Sequence, residues 1–430
     1  MTDTADTGTA ATDEVAEATG RPPVADWATD FDHTHPDYAA AAPEIWNELR
    51  ETCPVAHTDR FGGAWLPTRH EDVAAIANDT DRFSSQGIIV TDWRPFIPKP
   101  VGYAPPITSD PPFHNQARRL LLPPFAPKAI KEFEPRTRAH CRALLDEIEA
   151  AVEAGTDIVD AAVAYTQHIP VHAIAAMLGL PETDGDKFRG FIHRIIEAPG
   201  QAPPVDPSET LDHYLTTAIE SRRAVLDTGE EPGDDLISFL LTAEMEGEPL
   251  TTDHIRGTIA LLIIAGIDTT WSAIGASLWH LAQNPDDRRR WTDDPAVRTF
   301  AIEEFLRFYG PVTMARIVAE DTEIGGCPVK VDDWVLLPFP SANRDPEMFD
   351  RADEFVIDRA RNRHSAFGLG IHRCLGSNLA RMELTVAIEE WMDRFPDFEL
   401  SDADAVRWST GQVRGPRNLP IRILTDGSPS

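Results

Sequence analysis

The stretch "FGLGIHRCLG", residues 367–376, decides how this chain is read. Three glycines and a phenylalanine surround Cys374, and "SNLARMELTVAIEEWM" follows at once with helical spacing. The cysteine therefore stands at the mouth of a helix. A thiolate there gains from the helix dipole and from free backbone N–H groups. Glycines let the backbone approach something flat, and a phenylalanine can shield the sulfur. The bland alternative is a buried structural cysteine in a Gly-rich turn. A lone Cys-x-Gly favours that alternative. The full spacing F-x-x-G-x-x-x-C-x-G, through Phe367, Gly370, Cys374 and Gly376, argues against it because each element has a separate job.

The whole chain narrows the choice. It has 430 residues, 42% of them hydrophobic, which is ample for a large core. Its four cysteines, Cys53, Cys141, Cys327 and Cys374, lie far apart without a CxxC pair. A zinc site or disulfide framework is therefore not expected, and reduced thiols in a cytoplasmic setting are. The first 25 residues are acidic, lack a basic segment and an apolar run, and read as a disordered leader. The longest apolar run, "IALLIIAGI" (259–267), is too short to span a bilayer. With 71 acidic against 39 basic residues, the net charge is -32. Such a surface repels nucleic acid and anionic membranes. Only five of the basic residues are lysines, a bias that fits a high-salt organism or a GC-rich genome equally.

Periodicity predicts mostly helix. Residues 43–53 and 70–78 read as short helices, with a hairpin around Gly62-Gly63 between them. Residues 84–112 are irregular and hold seven prolines, as in a functional lid. Helical spacing returns over 114–180. "APGQAPPVDPSE" (198–209) breaks it, and 253–283, 295–308 and 376–394 are the strongest helices. Asp294 and Pro295 suit the cap and first turn of the middle one. "IGGCPVKVDDWVLLPFP" (324–340) reads as short strands. The expected fold is mainly α with small β-sheets (α+β), as a single domain over 26–430.

Placed in that frame, the Cys374 loop suits a thiolate bound to haem iron, a strong donor that favours O–O cleavage. Here the sequence resembles the cytochrome P-450 family of haem-thiolate monooxygenases, and independent stretches carry the same likeness. In "LLIIAGIDTTWSAIGA", Gly266, Asp268, Thr269 and Thr270 interrupt an otherwise apolar helix, similar to the family's A-G-x-D-T-T motif. In "FAIEEFLRF", Glu304 and Arg307 share one helix face and resemble the E-x-x-R pair. "FHNQARRLL" sets His114 and Arg118 four apart. Arg316 follows Arg307 by nine residues, and His364 precedes the cysteine loop. The likeness runs from about residue 30 onward. In detail "AFGLGIHRCLGSNLARMEL" and "VRGPRNLPI" look most like the bacterial group known for thiocarbamate and aromatic-ether oxidation. Some of that group are fused to a reductase, for which the short stretch after "DRFPDFEL" leaves no room.

The resemblance implies haem b held between the distal helix and the Cys374 loop, with Cys374 as iron ligand. It implies that Ala265 and Gly266 border the cofactor and that Gly266 lets the helix bulge where dioxygen sits. Thr269 would bond the distal oxygen, and Asp268 would pass protons from solvent. The propionates would be met by His114, Arg118, Arg316, His364 and, more weakly, Arg373. Glu304 and Arg307 would be completed by Arg359, with Arg344 the rival. Substrate contacts are expected from Ile88, Ile89, Phe96, Ala265, Val312, Met314 and Val413, which imply an apolar substrate of modest size. Electrons would come from NAD(P)H through a reductase and a [2Fe-2S] ferredoxin docking near Arg118, Arg119 and Lys128. A monomer is expected. A peroxide-driven peroxygenase and a non-catalytic haem sensor are the alternatives, and the Asp268-Thr269 pair argues against both.

Overall fold

One long apolar helix organises the molecule. The computed structural model describes residues 22–90, 102–197, 206–230 and 233–424. The helices that position the site are α1 (Pro36–Thr52), α2 (His70–Asn78), α3 (Phe113–Leu121), α4 (Pro127–Glu153), α5 (His168–Leu178), α6 (Thr252–Gln283), α7 (Arg298–Phe308) and α8 (Ser377–Arg394). Helix α6 has 32 residues, about 48 Å at 1.5 Å per residue. Thr251 caps it by accepting from the His254 N–H. The helix is apolar on nearly every face, so only a core can hold it. By length and hydropathy it could cross a membrane, yet 61% of its apolar window is buried within the protein. It packs against α5, α7 and α8, and α8 packs in turn against α4. Trp291, Phe305, Trp391 and Phe398 fill the principal core beside it.

Five strands form a sheet at one side: β1 (Val55–Thr58), β2 (Ala64–Pro67), β3 (Phe83–Ser84), β4 (Thr313–Val318) and β5 (Trp334–Pro338), in the order β1-β2-β5-β4-β3. The expected hairpin is β1–β2, with Val55 opposite Pro67 and Thr58 opposite Ala64. Its turn holds Phe61, Gly62 and Gly63 at φ of 60°, 71° and 100°. Two glycines in sequence supply that backbone at little steric cost. Strand β5 runs parallel to β2 and antiparallel to β4, and every residue in it is buried. A second sheet joins Ile158–Asp160, Phe398–Leu400 and Pro420–Ile423.

The architecture is mainly α with small sheets, as the sequence predicts. Three details differ. The first helix begins earlier, at Pro36, and kinks at Ala41 ahead of Pro43, where the proline ring cannot continue the ladder. Asp294 and Pro295 start a 3₁₀ turn, Pro295–Val297, and α7 follows it. Residues 158–160 form a strand inside the region predicted as helix, because their partner lies far along the chain. Most of the expected leader, Phe96 and most of the 198–209 connection lie outside the described residues.

Candidate active site

Cys374 sits on a loop fixed by its own backbone. Its N–H donates to the Phe367 carbonyl at 2.7 Å. Gly368 and Gly370 adopt φ of 70° and 67°. A Cβ on Gly370 would lie 2.2 Å from the Ala77 carbonyl oxygen of α2. This glycine lets the loop pack on α2, which corrects the expectation that it clears room for a flat group. Gly376 is nearer the sulfur: a Cβ there would lie 4.0 Å from Cys374 Sγ. Its N–H, just ahead of α8, bonds the sulfur. Burial pushes the Cys374 thiol up, while the Gly376 N–H, Arg118, Arg373 and Arg381 pull it down. Yet the residue is exposed. A residue that is exposed yet so closely surrounded by protein faces an internal slot. Ala265 is likewise exposed in mid-α6, where its neighbours are core. Phe367 lies under the Arg381 guanidinium at 4.4 Å, and Arg381 pairs with Glu303 at 2.6 Å.

Basic groups gather beside this slot. The His114 ring lies 4.3 Å from that of His372. His114 Nδ1 meets Asn115, while its buried Nε2 has no partner. His372 Nε2 pairs with Ser85 Oγ at 2.8 Å. Burial holds His372 well below the usual histidine range, and the nearby cations Arg316, His114 and Arg118 add to this. Arg316 is buried and donates to its neighbour's carbonyl, that of Ala315. Burial pulls it down to about 10. Asp110, the acid acting on Arg316, already accepts from Ser84 and Ser85. Arg118 donates to the Arg373 carbonyl at 2.5 Å, tying α3 to the cysteine loop. The Arg373 side chain is exposed.

His364 is placed differently from the expectation. Its Nε2 meets Glu303 Oε2 at 3.0 Å and its Nδ1 accepts from the Ala366 N–H, so neither nitrogen is open to a propionate. His372 stands beside His114 instead. The sequence reading missed it although it lies within the quoted motif, two residues before Cys374.

Helix α6 is regular through the Asp-Thr-Thr segment. A Cβ on Gly266 would lie 2.4 Å from Ile174 Cδ1. The glycine thus seats α5 against α6, and the expected bulge is absent from this structure. Thr269 Oγ1 donates to the Ala265 carbonyl at 2.8 Å. Asp268 is fully buried; burial pushes it up to about 6, against the pull of Arg417. Arg417 Nη2 reaches Asp268 Oδ1 at 2.6 Å. That arginine was also missed, since "VRGPRNLPI" does not reveal which of its arginines turns inward.

The buried pair is complete. Arg307 Nε and Nη2 meet both Glu304 oxygens at 2.8 Å. Arg359 Nε adds 3.0 Å to Glu304 Oε2, and three backbone carbonyls take the other Arg307 donors. Arg344, the rival, stacks on Phe308 at 3.7 Å instead. Of the substrate candidates, Val312 and Val413 form a bridge, and the Ile88 carbonyl accepts from Gln412. Ile89 packs in the core that includes Val413, while Met314 packs with the core of the five-stranded sheet.

These residues fit haem. The slot offers a sulfur at a helix N-terminus, and its flank offers buried basic groups and an unpartnered imidazole nitrogen suited to carboxylates. The comparisons agree. The cytochrome P450 profile matches residues 206–293 and 298–412. Nocardicin C N-oxygenase from Nocardia uniformis is 34% identical over 396 residues, covering 90% of this chain and 95% of that protein. The chain belongs to the cytochrome P450 family. Mycinamicin IV hydroxylase/epoxidase of Micromonospora griseorubida is similar at 31% identity, over 87% of this chain and 94% of that one. Among solved structures, a cytochrome P450 of Bacillus megaterium in complex with testosterone aligns with TM-score 0.79 and 31% identity. The alignment covers 91% of this chain and all of that one. As a cytochrome P450 monooxygenase, the protein uses haem iron, O2, an organic substrate and redox partners.

Proposed function

We propose that this cytochrome P450 inserts one atom of O2 into an apolar organic substrate of small to medium size, by hydroxylation or oxidative dealkylation. Electrons come from NAD(P)H through a reductase and a [2Fe-2S] ferredoxin. The observation that carries the reading is exposed Cys374 at the head of α8, two residues from His372 and its neighbours His114, Arg118 and Arg316. Bound as haem b, the cofactor supplies the oxygen-activating redox chemistry, with Cys374 as its electron-donating ligand. His114, Arg316 and His372 would hold the propionates, and Arg118 braces the cysteine loop. Phe367 covers the sulfur and the Gly376 N–H tempers its charge.

The chain's own chemistry is proton handling and binding. Thr269, whose hydroxyl donates to the Ala265 carbonyl, would offer it to a bound oxygen, and Asp268 would supply the proton behind it. With Asp268 buried and held up to about 6, both of its protonation states are populated near neutrality. Ile88, Ile89, Val312, Met314 and Val413 supply the apolar walls. Arg119 and Lys128, both exposed, together with Arg118, which bonds the cysteine loop, suit an acidic ferredoxin. Residues 26–430 act as one cytoplasmic, monomeric domain.

Turnover tests the reading. Product should form with ferredoxin, reductase and NADH, and not with peroxide alone. Efficient peroxide turnover without partners would replace the ferredoxin route by the peroxygenase alternative.

A further inference from the structure

Arg381, Glu303 and His364 close around the Phe367 ring. Glu303 and Glu304 are consecutive on α7 yet serve different joints. Glu304 meets the buried Arg307. Glu303 meets Arg381 of α8 through both oxygens: Arg381 Nε donates to Oε1 at 2.6 Å and Nη2 to Oε2 at 2.8 Å. The same Oε2 lies 3.0 Å from His364 Nε2. His364 Nδ1 accepts from the Ala366 N–H at 3.2 Å, so Nε2 carries the hydrogen and donates. The Arg381 guanidinium lies 4.4 Å from the centre of the Phe367 ring, and the His364 ring lies 5.9 Å from it. Phe367 in turn holds the cysteine, because its carbonyl accepts the Cys374 N–H at 2.7 Å. Arg381 Nη1 also donates to the Ser377 carbonyl at 3.4 Å, in the first turn of α8.

The group thus grips the cysteine loop on both sides, at Phe367 before Cys374 and at Ser377 after it. A guanidinium suits this work. Its flat face stacks on a ring while its edge forks onto a carboxylate, which a lysine cannot do. Burial pushes Glu303 up, but Arg381 and His364 outweigh it and bring the carboxyl to about 2, so it is ionised at neutral pH. The His364 side chain is 3% exposed, against 28% for Glu303 and 31% for Arg381. A half-exposed ion pair adds little stability by itself. Its effect here is geometric: the fork fixes the plane of the guanidinium, and that plane fixes the ring.

We infer that Arg381 is a positioning residue for the cysteine loop: braced by Glu303 and His364, it holds Phe367, and through Phe367 the place of Cys374. The inference rests on Cys374 as the iron ligand. It gives His364 a role that its distance from the propionate binders leaves open. The consequence is electronic. A loop held in place limits the hydrogen bonds that water can make to the sulfur, and such bonds draw charge from the ligand and set the reduction potential.

The test is resonance Raman spectroscopy of the ferric haem-loaded protein, with a potentiometric titration of the same samples. Arg381→Lys keeps the charge and loses the fork and the flat face. It should lower the iron–sulfur stretching frequency and raise the ferric–ferrous midpoint potential, and Glu303→Gln should move both the same way. Because Arg381 acts through Phe367, the change caused by Arg381→Lys should fall by at least about half in a Phe367→Leu background. His364→Gln leaves the Arg381–Glu303 fork in place. It should move both readouts less, in the same direction, and it carries the test if Arg381→Lys binds haem poorly; an unmoved band in His364→Gln would then overturn the inference. Arg381→Lys matching wild type, or keeping its full effect in the Phe367→Leu background, would overturn it as well. A wild type with no iron–sulfur band would overturn the ligand assignment and the inference with it, whereas a band that is present but unmoved by the variants overturns the inference alone.

Discussion

Asp268 carries a charge cost that can be read as stability. Burial holds it near pH 6, against an ordinary 3.8. Between those values the folded protein keeps a proton that the unfolded chain has released, so stability falls as pH rises through the window. The difference of about two pH units corresponds to on the order of 3 kcal/mol at ~1.4 kcal/mol per unit. Urea unfolding of wild type and Asp268→Asn from about pH 4.5 to pH 7 should show wild type losing stability relative to the variant; parallel curves would contradict this. Thr269→Ala should leave folding intact and uncouple NADH use from product, measured as peroxide released per turnover. Coupling equal to wild type would remove Thr269 from its role. At this scale a motif constrains residue type and spacing, as at Cys374 and Asp268-Thr269, but not the partners each side chain finds. The sequence misled at His364, because a histidine at a plausible offset says nothing about the Glu303 carboxylate that claims it. Gly370 shows the same limit: its φ and its approach to Ala77 are facts of packing, although its identity is plain in the motif.

Between elements, the strongest joint is the Glu304–Arg307 pair on α7, with both side chains fully buried. Removing one partner leaves the other charge uncompensated. Glu304→Ala should therefore cost about 3–5 kcal/mol, measured by chemical denaturation, and haem retention should fall with it. A loss under about 1 kcal/mol would mean that the pair is not structural. Gly370→Ala should fail differently. It strains a left-handed residue and drives a methyl into α2, so the cysteine loop should shift while α6 and α7 keep their protection from hydrogen exchange. Long helices were legible because α6, α7 and α8 run without an internal proline. The strand Ile158–Asp160 was not, because three residues hold no period and its stability comes from Pro420–Ile423. The regular course of α6 past Gly266 was hidden for a related reason. Sequence shows that a glycine permits a bulge, while the fit of Ile174 uses the same gap for packing.

The whole molecule sets a net charge of -32 around a site whose flank is basic. Self-repulsion of that surface opposes compactness and is screened over about 10 Å at 0.1 M salt. The melting temperature should rise between 0.01 M and 1 M sodium chloride; a flat or falling trend would show that surface repulsion is not limiting. Fold class and family were legible at this scale because the constellations occur in the family's order along one chain. The place of His372 beside His114 and Arg316 was not, since the three come from a loop, a helix and a strand distant in sequence. The central claim is that Cys374 is the thiolate ligand of the haem iron. Its most direct test is the absorption spectrum of the reduced, carbon monoxide-bound protein, in wild type and in Cys374→Ser. Wild type should show a Soret band moved strongly to the red, and the variant should lose that shift. A wild-type band that stays put, or a Cys374→Ser protein that keeps the shift, would contradict the assignment.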